Sequence, residues 1–488
     1  MSDKTRSPAL RKTKIVATIG PACDSPEMLE KMLLAGVNVA RLNLSHGSFE
    51  GHQRMIGRIR DVAARLGHHI AIMIDTRGVE IRTGLLRDGK VELERGAEFV
   101  LRVDDAPGDV HGVSMTYPNL PREVAVGAPI LLDDGAIELQ VVETSDTEIR
   151  CEVVHGGTLG ERKSINLPET RLKLATANPD SRDDVKKELD FASANDIDYI
   201  AASFVQSADD IRTMREILRE NGRDIPIIAK IENKAGIDNL EEIVREADGV
   251  MVARGDLGVE LPFGEVPEAQ KRMIRTTVMN GKPVITATQM LASMENNPKP
   301  TRAEASDVAN AILDGTSAIM LSGETATGRY PVEAVRTMSD LALRTESYLN
   351  EFGYLQKILP NPSNVVTDAV SQAVVAMVKQ LNAAAVFSLT NTGFTARLIS
   401  RHRPECPIFA VTGSVSVARR LSMNWGITAL LCEPGLSDQQ RIGYGVEQAR
   451  RLGFVDSGDI IVATWGYKHS TGGTDMIRVL EVNGGKAE

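Results

Sequence analysis

The sequence is poor in cysteine, and the cysteines it has form no metal-binding or disulfide pattern. Cys23, Cys151, Cys406 and Cys432 are far apart, and no two of them form a CxxC pair. Zinc ribbons and small disulfide-stapled secreted folds need closely spaced cysteines, so both classes are excluded. We expect four reduced structural thiols in a cytoplasmic protein.

The sequence also lacks a long hydrophobic run. A membrane-spanning helix needs about 18 apolar residues in succession, and no uncharged segment approaches that length. The segment "MSDKTRSPALRKTK" is basic, but no apolar stretch follows it as in a secretory signal. We therefore expect a soluble, untargeted protein that has no membrane partner.

An excess of positive charge is missing as well. The formal net charge is -10 at pH 7, whereas nucleic-acid binding depends on clustered lysine and arginine that neutralise phosphates. Nucleic acid is therefore not an expected partner. An acidic protein can still carry a local basic pocket for a small anion.

What the sequence does contain is eight short β-branched runs separated by amphipathic segments, an alternation typical of parallel βα units. The runs are "KIVATIG" (14–20), "NVARLNLS" (38–45), "IAIMIDT" (70–76), "YIAASFV" (199–205), "PIIAKIE" (226–232), "GVMVARGD" (249–256), "PVITATQ" (283–289) and "AIMLSGE" (318–324). Eight strand–helix units are the number that closes a TIM (β/α)8 barrel, so we predict an α/β fold of this type.

Local signals mark where two of the intervening helices begin and end. Ser25 is typical of an N-cap, and Gly36 of a helix end. Thr301 and Glu304 have the spacing of a capping box, and Gly315 follows the helix that they introduce.

Two regions interrupt the barrel pattern. Alternating strands and turn signals such as "RDGK" predict a small all-β barrel domain inserted after the third strand. After the polar stretch "LQKILPNPSN", the runs "AAAVFSLT", "PIFAVTG", "ITALLCE" and "DIIVATWG" predict a C-terminal open α/β domain. The predicted domains are a catalytic barrel of residues 1–83 and 176–350, an insertion of residues 84–175, and a C-terminal domain of residues 351–488.

Polar residues concentrate at the carboxyl ends of the predicted barrel strands, which is where barrel enzymes carry their chemistry. They are Arg41, Asn43, Ser45 and His46 on the second strand, Asp75, Thr76 and Arg77 on the third, Lys230 and Glu232 on the fifth, Arg254 and Asp256 on the sixth, and Thr286, Thr288 and Gln289 on the seventh. This concentration predicts an active site at that end of the barrel.

Lys230 and Glu232 are two residues apart, so on a strand both side chains project to the same face. A buried ion pair or two charges on the rim would also explain them. However, desolvating two charges costs several kcal/mol per ion unless partners compensate, and Asp256 is on the neighbouring strand. Because two carboxylates completed by water and substrate are a usual Mg2+ arrangement in phosphate chemistry, we favour a divalent-metal site.

Two further motifs are ambiguous. In "RGDLGVE", Gly255 allows backbone N–H groups to approach an anion, but a Gly-Asp pair is more often an ordinary turn. In "NLSHG", Ser45 could instead cap a helix, and His46 could be an ordinary surface histidine. Neither motif predicts a site by itself.

Several longer motifs together resemble the pyruvate kinase family. They are "TKIVATIGPA", "GVNVARLNLSHG", "IIAKIENKAGIDNLEEI", "GVMVARGDLGVELP", "KPVITATQML" and "PTRAEASDVANAILDGTSAIMLSGETATGRYPVEAV". The resemblance covers residues 14–82 and 195–345, and more weakly the insertion and the C-terminal domain. It implies transfer of the phosphoryl group of phosphoenolpyruvate to ADP, giving pyruvate and ATP in glycolysis, with Mg2+ (or Mn2+) and K+ as cofactors and a homotetrameric assembly.

The resemblance also implies roles for individual residues. Lys230 and Arg41 would stabilise the moving phosphoryl group, and Thr288 would lie near the donor that protonates the enolate. The implied binding sets are Glu232 and Asp256 for Mg2+; Arg41, Lys230, Gly255, Asp256 and Thr288 for the substrate; Asn43, Ser45, Asp75 and Thr76 for K+; and Asn43, His46, Arg82 and Lys163 for the nucleotide, with Lys163 reaching from the insertion as a lid. Cations that converge on transferring phosphate are what such chemistry needs.

A loop in the predicted C-terminal domain is a candidate effector site. The segment "SLTNTGFTARLISRHRP" places five residues between a strand and a helix, where backbone N–H groups can bind phosphate; they are Thr390, Asn391, Thr392, Gly393 and Thr395. An ordinary capped turn explains the same pattern. The resemblance implies that this loop and "GYKHSTGGTD" bind a phosphorylated allosteric effector.

The sequence departs from the family at one motif. The third strand continues as "DTRGVEIRTG", where the family commonly has DTKGPEIRTG, so Arg77 and Val79 replace lysine and proline. Arginine keeps the charge in a planar group, and valine leaves its backbone φ free. These changes concern the hinge of the lid and the affinity for nucleotide rather than the reaction.

Two rival functions remain from the sequence. One is a barrel lyase or aldolase acting on phosphoenolpyruvate or pyruvate, which the insertion and Arg82 disfavour. The other is a non-catalytic metabolite sensor, which the complete set of Lys230, Glu232, Asp256 and Arg41 disfavours, because function depends on the site and not on the fold.

Glu80 gives a test of the cofactor prediction. In the family, a glutamate here accompanies K+ dependence, whereas a lysine accompanies independence. We therefore predict that K+ activates the protein, measured as pyruvate formation in KCl against NaCl or a bulky organic cation at equal ionic strength. Full activity without K+ would contradict the prediction.

Overall fold

The first segment of the chain supplies three strands of a barrel. The computed structural model describes residues 10–78, 81–168, 170, 179–355, 365–466 and 473–483. Its first elements are β1 (Lys14–Thr18), α1 (Pro26–Ala35), β2 (Val39–Asn43), α2 (Phe49–Leu66) and β3 (Ala71–Asp75). Ser25 caps α1 and Gly36 ends it, as predicted. Ser48, and not Ser45, caps α2, so the helix-cap alternative for Ser45 is wrong.

An insertion built almost entirely of strands follows β3. Its elements are β4 (Lys90–Leu93), β5 (Glu98–Arg102), β6 (Gly112–Ser114), α3 (Leu120–Glu123), β7 (Pro129–Leu132), β8 (Ile137–Thr144), β9 (Glu148–His155), β10 (Gly157–Gly160) and β11 (Ile165–Asn166). They form a six-stranded sheet in the order β11-β7-β8-β9-β5-β6 and a two-stranded sheet of β10 and β4. Alternate side chains such as Ile149, Cys151 and Val153 enter a core of the insertion's own.

The chain then completes the barrel. The elements are α4 (Pro179–Ala194), β12 (Tyr199–Ala202), α5 (Ala208–Glu220), β13 (Ile227–Ile231), α6 (Lys234–Asp238), α7 (Leu240–Glu246), β14 (Gly249–Ala253), α8 (Arg254–Glu260), α9 (Val266–Met279), β15 (Val284–Ala287), a 3-10 helix (Ala292–Glu295), α10 (Arg302–Asp314), β16 (Ala318–Leu321), α11 (Gly323–Ala326), α12 (Pro331–Glu346) and α13 (Leu349–Phe352). Thr301 and Glu304 form the predicted capping box of α10, and Gly315 ends the helix.

Eight parallel strands close the barrel in the order β1-β16-β15-β14-β13-β12-β3-β2. All eight predicted runs contain one of these strands, which confirms the TIM barrel. The observed strands end one to three residues before the predicted runs do; "GVMVARGD", for example, is a strand only over Gly249–Ala253. Arg41, Asn43, Asp75, Lys230 and Thr286 lie on the strands themselves. The other polar residues at the ends of the runs lie on the loops and first helical turns at the mouth of the barrel.

The C-terminal domain is an open α/β layer. Its elements are α14 (Val365–Leu381), β17 (Ala385–Leu389), α15 (Phe394–Arg401), β18 (Ile408–Thr412), α16 (Val415–Leu421), β19 (Ile427–Leu431), α17 (Asp438–Arg451), β20 (Ile460–Trp465) and β21 (Met476–Glu481). The sheet order is β19-β18-β17-β20-β21, with β21 antiparallel to β20. The four predicted strands are present. β21 was missed: its residues MIRVLE are exposed or half-buried, and Arg478 divides the apolar ones into two pairs.

Some sequence predictions lie outside the described residues. The boundary near residue 175 and most of the stretch "LQKILPNPSN" fall there, so the exact domain boundaries stay predictions. Within the described residues, no helix is long and apolar enough to cross a membrane. All four cysteines are free and buried.

The C-terminal domain packs against the amino-terminal end of the barrel. Met423, which follows α16, belongs to the same buried cluster as the side chains that fill the barrel interior. The hydroxyl of Tyr199 on β12 donates to the carbonyl of Arg420 at 2.6 Å. A residue of one domain therefore completes the core of the other, so we expect the two domains to stabilise each other.

Trp425 tests this docking. It is 2% exposed, and the guanidinium of Arg403 and the ammonium of Lys12 lie 4.5 and 5.2 Å from its ring centroid. Trp425→Ala should lower the free energy of unfolding by about 3–5 kcal/mol, the usual loss for a buried aromatic side chain. Urea unfolding followed by circular dichroism measures the loss, and Trp425→Phe should lose less. Equal stability of Trp425→Ala and the wild type would contradict the docking role.

Candidate active site at the carboxyl ends of the barrel strands

A chain of buried ion pairs joins three strand ends at the mouth of the barrel. The Nε of Arg41 on β2 lies 2.7 Å from Oδ2 of Asp75, the last residue of β3. The Nζ of Lys230 on β13 lies 2.9 Å from Oδ1 of Asp75 and 2.9 Å from Oε1 of Glu232. The same-face prediction for Lys230 and Glu232 is therefore confirmed, and Asp75 proves to be their link to Arg41.

Burial makes these charges depend on one another. Asp75 and Glu232 are 1% and 2% exposed, and Lys230 is 9% exposed. Burial by itself would raise the pKa of Asp75, but Arg41 and Lys230 outweigh it and hold that pKa below its ordinary value. Burial would likewise lower the pKa of Lys230, yet Asp75 and Glu232 raise it above its ordinary value. The lysine is therefore a fixed positive charge at neutral pH.

Three residues that sequence reasoning missed hold this network in place. Ser203, after β12, accepts from Nζ of Lys230 at 2.6 Å. Thr18, at the end of β1, accepts from Nη1 of Arg41 at 2.9 Å. The backbone N–H of Phe204 donates to Oε2 of Glu232 at 2.6 Å. Ser203 and Thr18 are polar residues near the carboxyl ends of the predicted runs, and this signal was present in the sequence. The contact of Phe204 is made by its backbone and left no signal.

Glu232 and Asp256 are compatible with a shared divalent cation. Glu232 directly follows β13, and Asp256 lies in the first turn of α8, directly after the adjacent strand β14. Each oxygen of Glu232 accepts one hydrogen bond from Lys230 or Phe204 and so keeps a second lone pair for a metal. Within the described parts of the chain, no group of three or more His, Cys, Asp or Glu side chains could hold a metal. A metal held by two carboxylates therefore needs other oxygen ligands.

Thr288 has a constrained position beside α8. Its φ of 65° lies in the left-handed region, which a β-branched residue rarely adopts. Its hydroxyl accepts from the N–H of Gly255 at 2.8 Å and donates to the carbonyl of Ala287 at 2.7 Å. Arg254 donates to the carbonyl of Thr288 at 2.7 Å. The structure thus brings two predicted substrate residues, Gly255 and Thr288, into direct contact.

The residues predicted for K+ lie around the ends of β2 and β3. Asn43 and Asp75 are register partners on these strands. Oδ1 of Asn43 accepts from the N–H of Ser45 at 3.1 Å. The hydroxyl of Thr76 donates to the carbonyl of Ala201 at 3.2 Å. These oxygens suit a hard cation, although both oxygens of Asp75 already bind cationic side chains.

The residues predicted for the nucleotide are more exposed. His46 is exposed, and its carbonyl lies 2.7 Å from Nε2 of His52. Arg82 is exposed and donates to the carbonyl of Arg162 at 2.8 Å. Lys163 pairs with Asp133 at 2.9 Å inside the insertion. Arg82 and Lys163 are brought close together by the pairing of Arg82 with Ser164, whereas His46 belongs to the barrel.

The junction between the barrel and the insertion contains a buried carboxylate that the sequence did not indicate. Both oxygens of Glu188 on α4 accept from the N–H of Arg77 at 3.2 Å. The guanidinium of Arg77 donates to the carbonyl of Leu44 at 2.7 Å. Val79 and Glu80 lie outside the described residues. Glu188 therefore links the segment that leaves the barrel after β3 to α4, the helix through which the chain re-enters the barrel.

The predicted effector loop is a turn held by its own side chains. Gly393 has a φ of 81°, and its N–H donates to the hydroxyl of Thr390 at 2.8 Å. The hydroxyls of Thr395 and Thr474 contact each other. A cavity of about 430 Å3 lies beside Asn391 and is also lined by Ser437 and Arg441 from the last strand–helix connection. Most of "GYKHSTGGTD" lies outside the described residues.

A closed barrel with buried cations and carboxylates at its strand ends, and with an all-β insertion beside them, defines a barrel enzyme built for an anionic substrate. Comparison with known proteins narrows the class. The family model "Pyruvate kinase, barrel domain" matches residues 10–335, and "Pyruvate kinase, alpha/beta domain" matches residues 368–480.

Individual relatives agree with the family models. The chain is 46% identical to a pyruvate kinase of Geobacillus stearothermophilus, over 96% of this chain and 80% of that protein. It is 46% identical to one of Bacillus licheniformis, over 97% of this chain and 81% of the relative. A crystal structure of a pyruvate kinase from Cryptosporidium parvum superposes with a TM-score of 0.91 at 39% identity, covering 96% of both chains.

The chain therefore belongs to the pyruvate kinase family. Its catalytic function is that of a pyruvate kinase, which confirms the main functional prediction from the sequence against the lyase and sensor alternatives.

Glu188, at the junction between the barrel and the insertion, should make the stability of the folded protein depend on pH. Burial is the main cause that raises the pKa of Glu188 from 4.5 to about 7, and the bonds from Arg77 oppose it only in part. Between these pH values the folded state binds more protons than the unfolded state, so stability falls as pH rises from about 4.5 to about 7. Glu188→Gln should remove this fall, measured as the melting temperature against pH.

The exposed Glu216 on α5 offers the matched control. Glu216→Gln should leave the pH profile of the melting temperature parallel to that of the wild type. Parallel profiles for Glu188→Gln and the wild type would contradict the assignment of the pH dependence to Glu188.

Proposed function

We propose that the chain is a phosphotransferase that moves the phosphoryl group of phosphoenolpyruvate to ADP. The bond between phosphorus and the enol oxygen breaks, and a bond to a β-phosphate oxygen of ADP forms. The enolate that remains takes a proton on carbon and becomes pyruvate. The observation that carries the proposal is the buried ammonium of Lys230, held 2.9 Å from both Asp75 and Glu232.

Lys230 and Arg41 supply positive charge where the transferring group is negative. Both are buried at the mouth of the barrel and bound to Asp75, so neither has to reorganise when the substrate arrives. Fixed cations in a dry site stabilise a charged transition state far better than mobile ones in water. We assign Arg41 to the phosphoryl oxygens, and Lys230 to the phosphoryl group and the enolate oxygen.

Glu232 and Asp256 are the proposed ligands of Mg2+ or Mn2+. A bound divalent ion would neutralise phosphate charge and fix the orientation of the substrate. The carboxylate of Glu232 is oriented for this role by Lys230 and by the N–H of Phe204. Asn43, Ser45, Asp75 and Thr76 are the proposed set for K+.

Thr288 and the backbone at Gly255 and Asp256 are the proposed contacts of the substrate carboxylate. The N–H of Gly255 is positioned by its bond to the Thr288 hydroxyl. A threonine hydroxyl is a weak acid, so we assign Thr288 to orient the proton donor and not to donate the proton itself.

The nucleotide is proposed to lie between the barrel and the insertion. Asn43 and His46 would meet it from the barrel, and Arg82 and Lys163 from the insertion. The exposed guanidinium of Arg82 and the half-exposed ammonium of Lys163 suit solvated phosphates. Closure of the insertion over the site would exclude water, which otherwise competes for the phosphoryl group.

The C-terminal domain is the proposed site of regulation. The cavity of about 430 Å3 beside Asn391 has room for a phosphorylated effector, and its charged lining residues are Arg441, Glu433 and Asp438. Thr390, Thr392 and Gly393 belong to the adjacent loop, and Thr395 lies in the first turn of α15. A homotetramer and a cytoplasmic location complete the proposal, and both rest on the family.

Lys230→Met tests the proposed reaction. Loss of the ammonium should lower kcat at least about a hundredfold, because a fixed charge at the reacting group is removed. Binding of phosphoenolpyruvate, measured by calorimetry, should persist. ADP-dependent formation of pyruvate, coupled to lactate dehydrogenase, gives kcat.

Lys234→Met is the matched control. Lys234 begins α6 only four residues later, and its side chain is 57% exposed. This variant should turn over like the wild type. Normal turnover by Lys230→Met would contradict the role of Lys230, and a wild type that forms no pyruvate from phosphoenolpyruvate and ADP would contradict the reaction.

A further inference from the structure

The turn formed by Ser203 and Phe204 lies between two functional parts of the barrel. It follows β12, whose neighbours are β3 and β13. β3 leads through Gly78 toward the insertion, and β13 carries Lys230 and leads to Glu232. Phe204 has a φ of 52°, in the left-handed region that side chains rarely adopt. Such a conformation persists only where the surroundings impose it.

On one side, the turn holds both functional groups of β13. The ammonium of Lys230 donates to Oγ of Ser203 at 2.6 Å, and the serine hydroxyl donates its single proton to the carbonyl of Thr76 at 2.7 Å. The N–H of Phe204 donates to Oε2 of Glu232 at 2.6 Å. The residue with the left-handed backbone is thus the one whose N–H bonds to the carboxylate.

On the other side, the turn packs against the exit toward the insertion. A Cβ at Gly78 would overlap the ring of Phe204 and would lie 3.3 Å from Cβ of Ser203. The ring can therefore occupy its position only because residue 78 is a glycine. The N–H of Ser203 also donates to the hydroxyl of Thr76 at 3.1 Å, two residues before Gly78.

We propose that the Ser203–Phe204 turn is a positioning element that couples the hinge of the insertion at Gly78 to the carboxylate of Glu232. The proposal rests on the metal-binding role proposed above for Glu232. A shift of the backbone at Gly78 displaces the ring of Phe204. Because ring and N–H belong to one residue with a constrained backbone, the N–H then moves relative to Oε2, and the orientation of the carboxylate changes with it.

A double-mutant cycle of Gly78→Ala and Phe204→Ala tests the coupling. The dissociation constant of Mn2+ is measured by the electron paramagnetic resonance of free Mn2+, without phosphoenolpyruvate or ADP. In the wild type, Gly78→Ala should weaken Mn2+ binding about tenfold, as loss of a group that orients a metal ligand does. In the Phe204→Ala background, the same substitution should change binding less than about threefold, because the ring that it would displace is gone.

An equal effect of Gly78→Ala in both backgrounds, or no effect in either, would overturn the proposal. Circular dichroism reports whether each variant folds. If Gly78→Ala does not fold, the comparison of Phe204→Ala with the double variant decides: an about tenfold loss between these two would overturn the coupling, and similar Mn2+ binding would support it. Pyruvate formation by the wild type tests the proposed reaction separately, since this cycle measures binding of Mn2+ alone.

Discussion

The site depends on Asp75, a buried carboxylate whose two oxygens face two different cations. Arg41 and Lys230 approach it from β2 and β13, at 2.7 and 2.9 Å. Breaking a buried pair by removing one partner typically costs about 3–5 kcal/mol, because the other charge is left uncompensated. The three side chains therefore fix one another's positions. They belong to different strands, and the strand order β13-β12-β3-β2 is what brings them together.

The same pairing explains how the site can keep its cations in place before a substrate arrives. Arg41 and Lys230 are balanced by Asp75 and Glu232, so the buried network has two charges of each sign. Two unbalanced cations would repel each other and turn toward solvent. Because the carboxylates balance them, the two cations are already oriented in the folded protein. The free-energy cost of aligning them is met during folding and not during the reaction. Such preorganised charges are the condition for strong electrostatic stabilisation of a transition state.

The sequence predicted the local features of the fold well. The caps of α1 and α10 were predicted because every contact of a cap lies within about four residues of its partner. The eight barrel strands were predicted because buried parallel strands read as hydrophobic runs. β21 escaped because Arg478 divides its four apolar residues into two pairs, so the exposed edge strand does not read as a continuous run.

The candidate site was predictable only in part. Because Lys230 and Glu232 are two residues apart, the sequence predicted that their side chains project to the same face of the strand. The position of Asp75 at a strand end marked it as a site residue. Which side chains pair is decided by the order of strands in the closed barrel, which the spacing does not contain. The contacts of Phe204 and Glu188 escaped for the same reason: both join segments distant in sequence, and one of them uses a backbone N–H.

The insertion leaves the barrel at the strand end that carries Asp75, so its attachment and the ion-pair network of the candidate site lie at the same strand end. Glu188 of α4 binds the N–H of Arg77, and Phe191 of the same helix stacks on Phe49 at 4.8 Å. The guanidinium of Arg77 lies 5.9 Å from the ring of Phe49. A planar guanidinium can stack in this way, whereas the lysine common in the family would act as a point charge. Arg77 therefore contributes to the base of the insertion, and directly beyond it Gly78 meets Phe204.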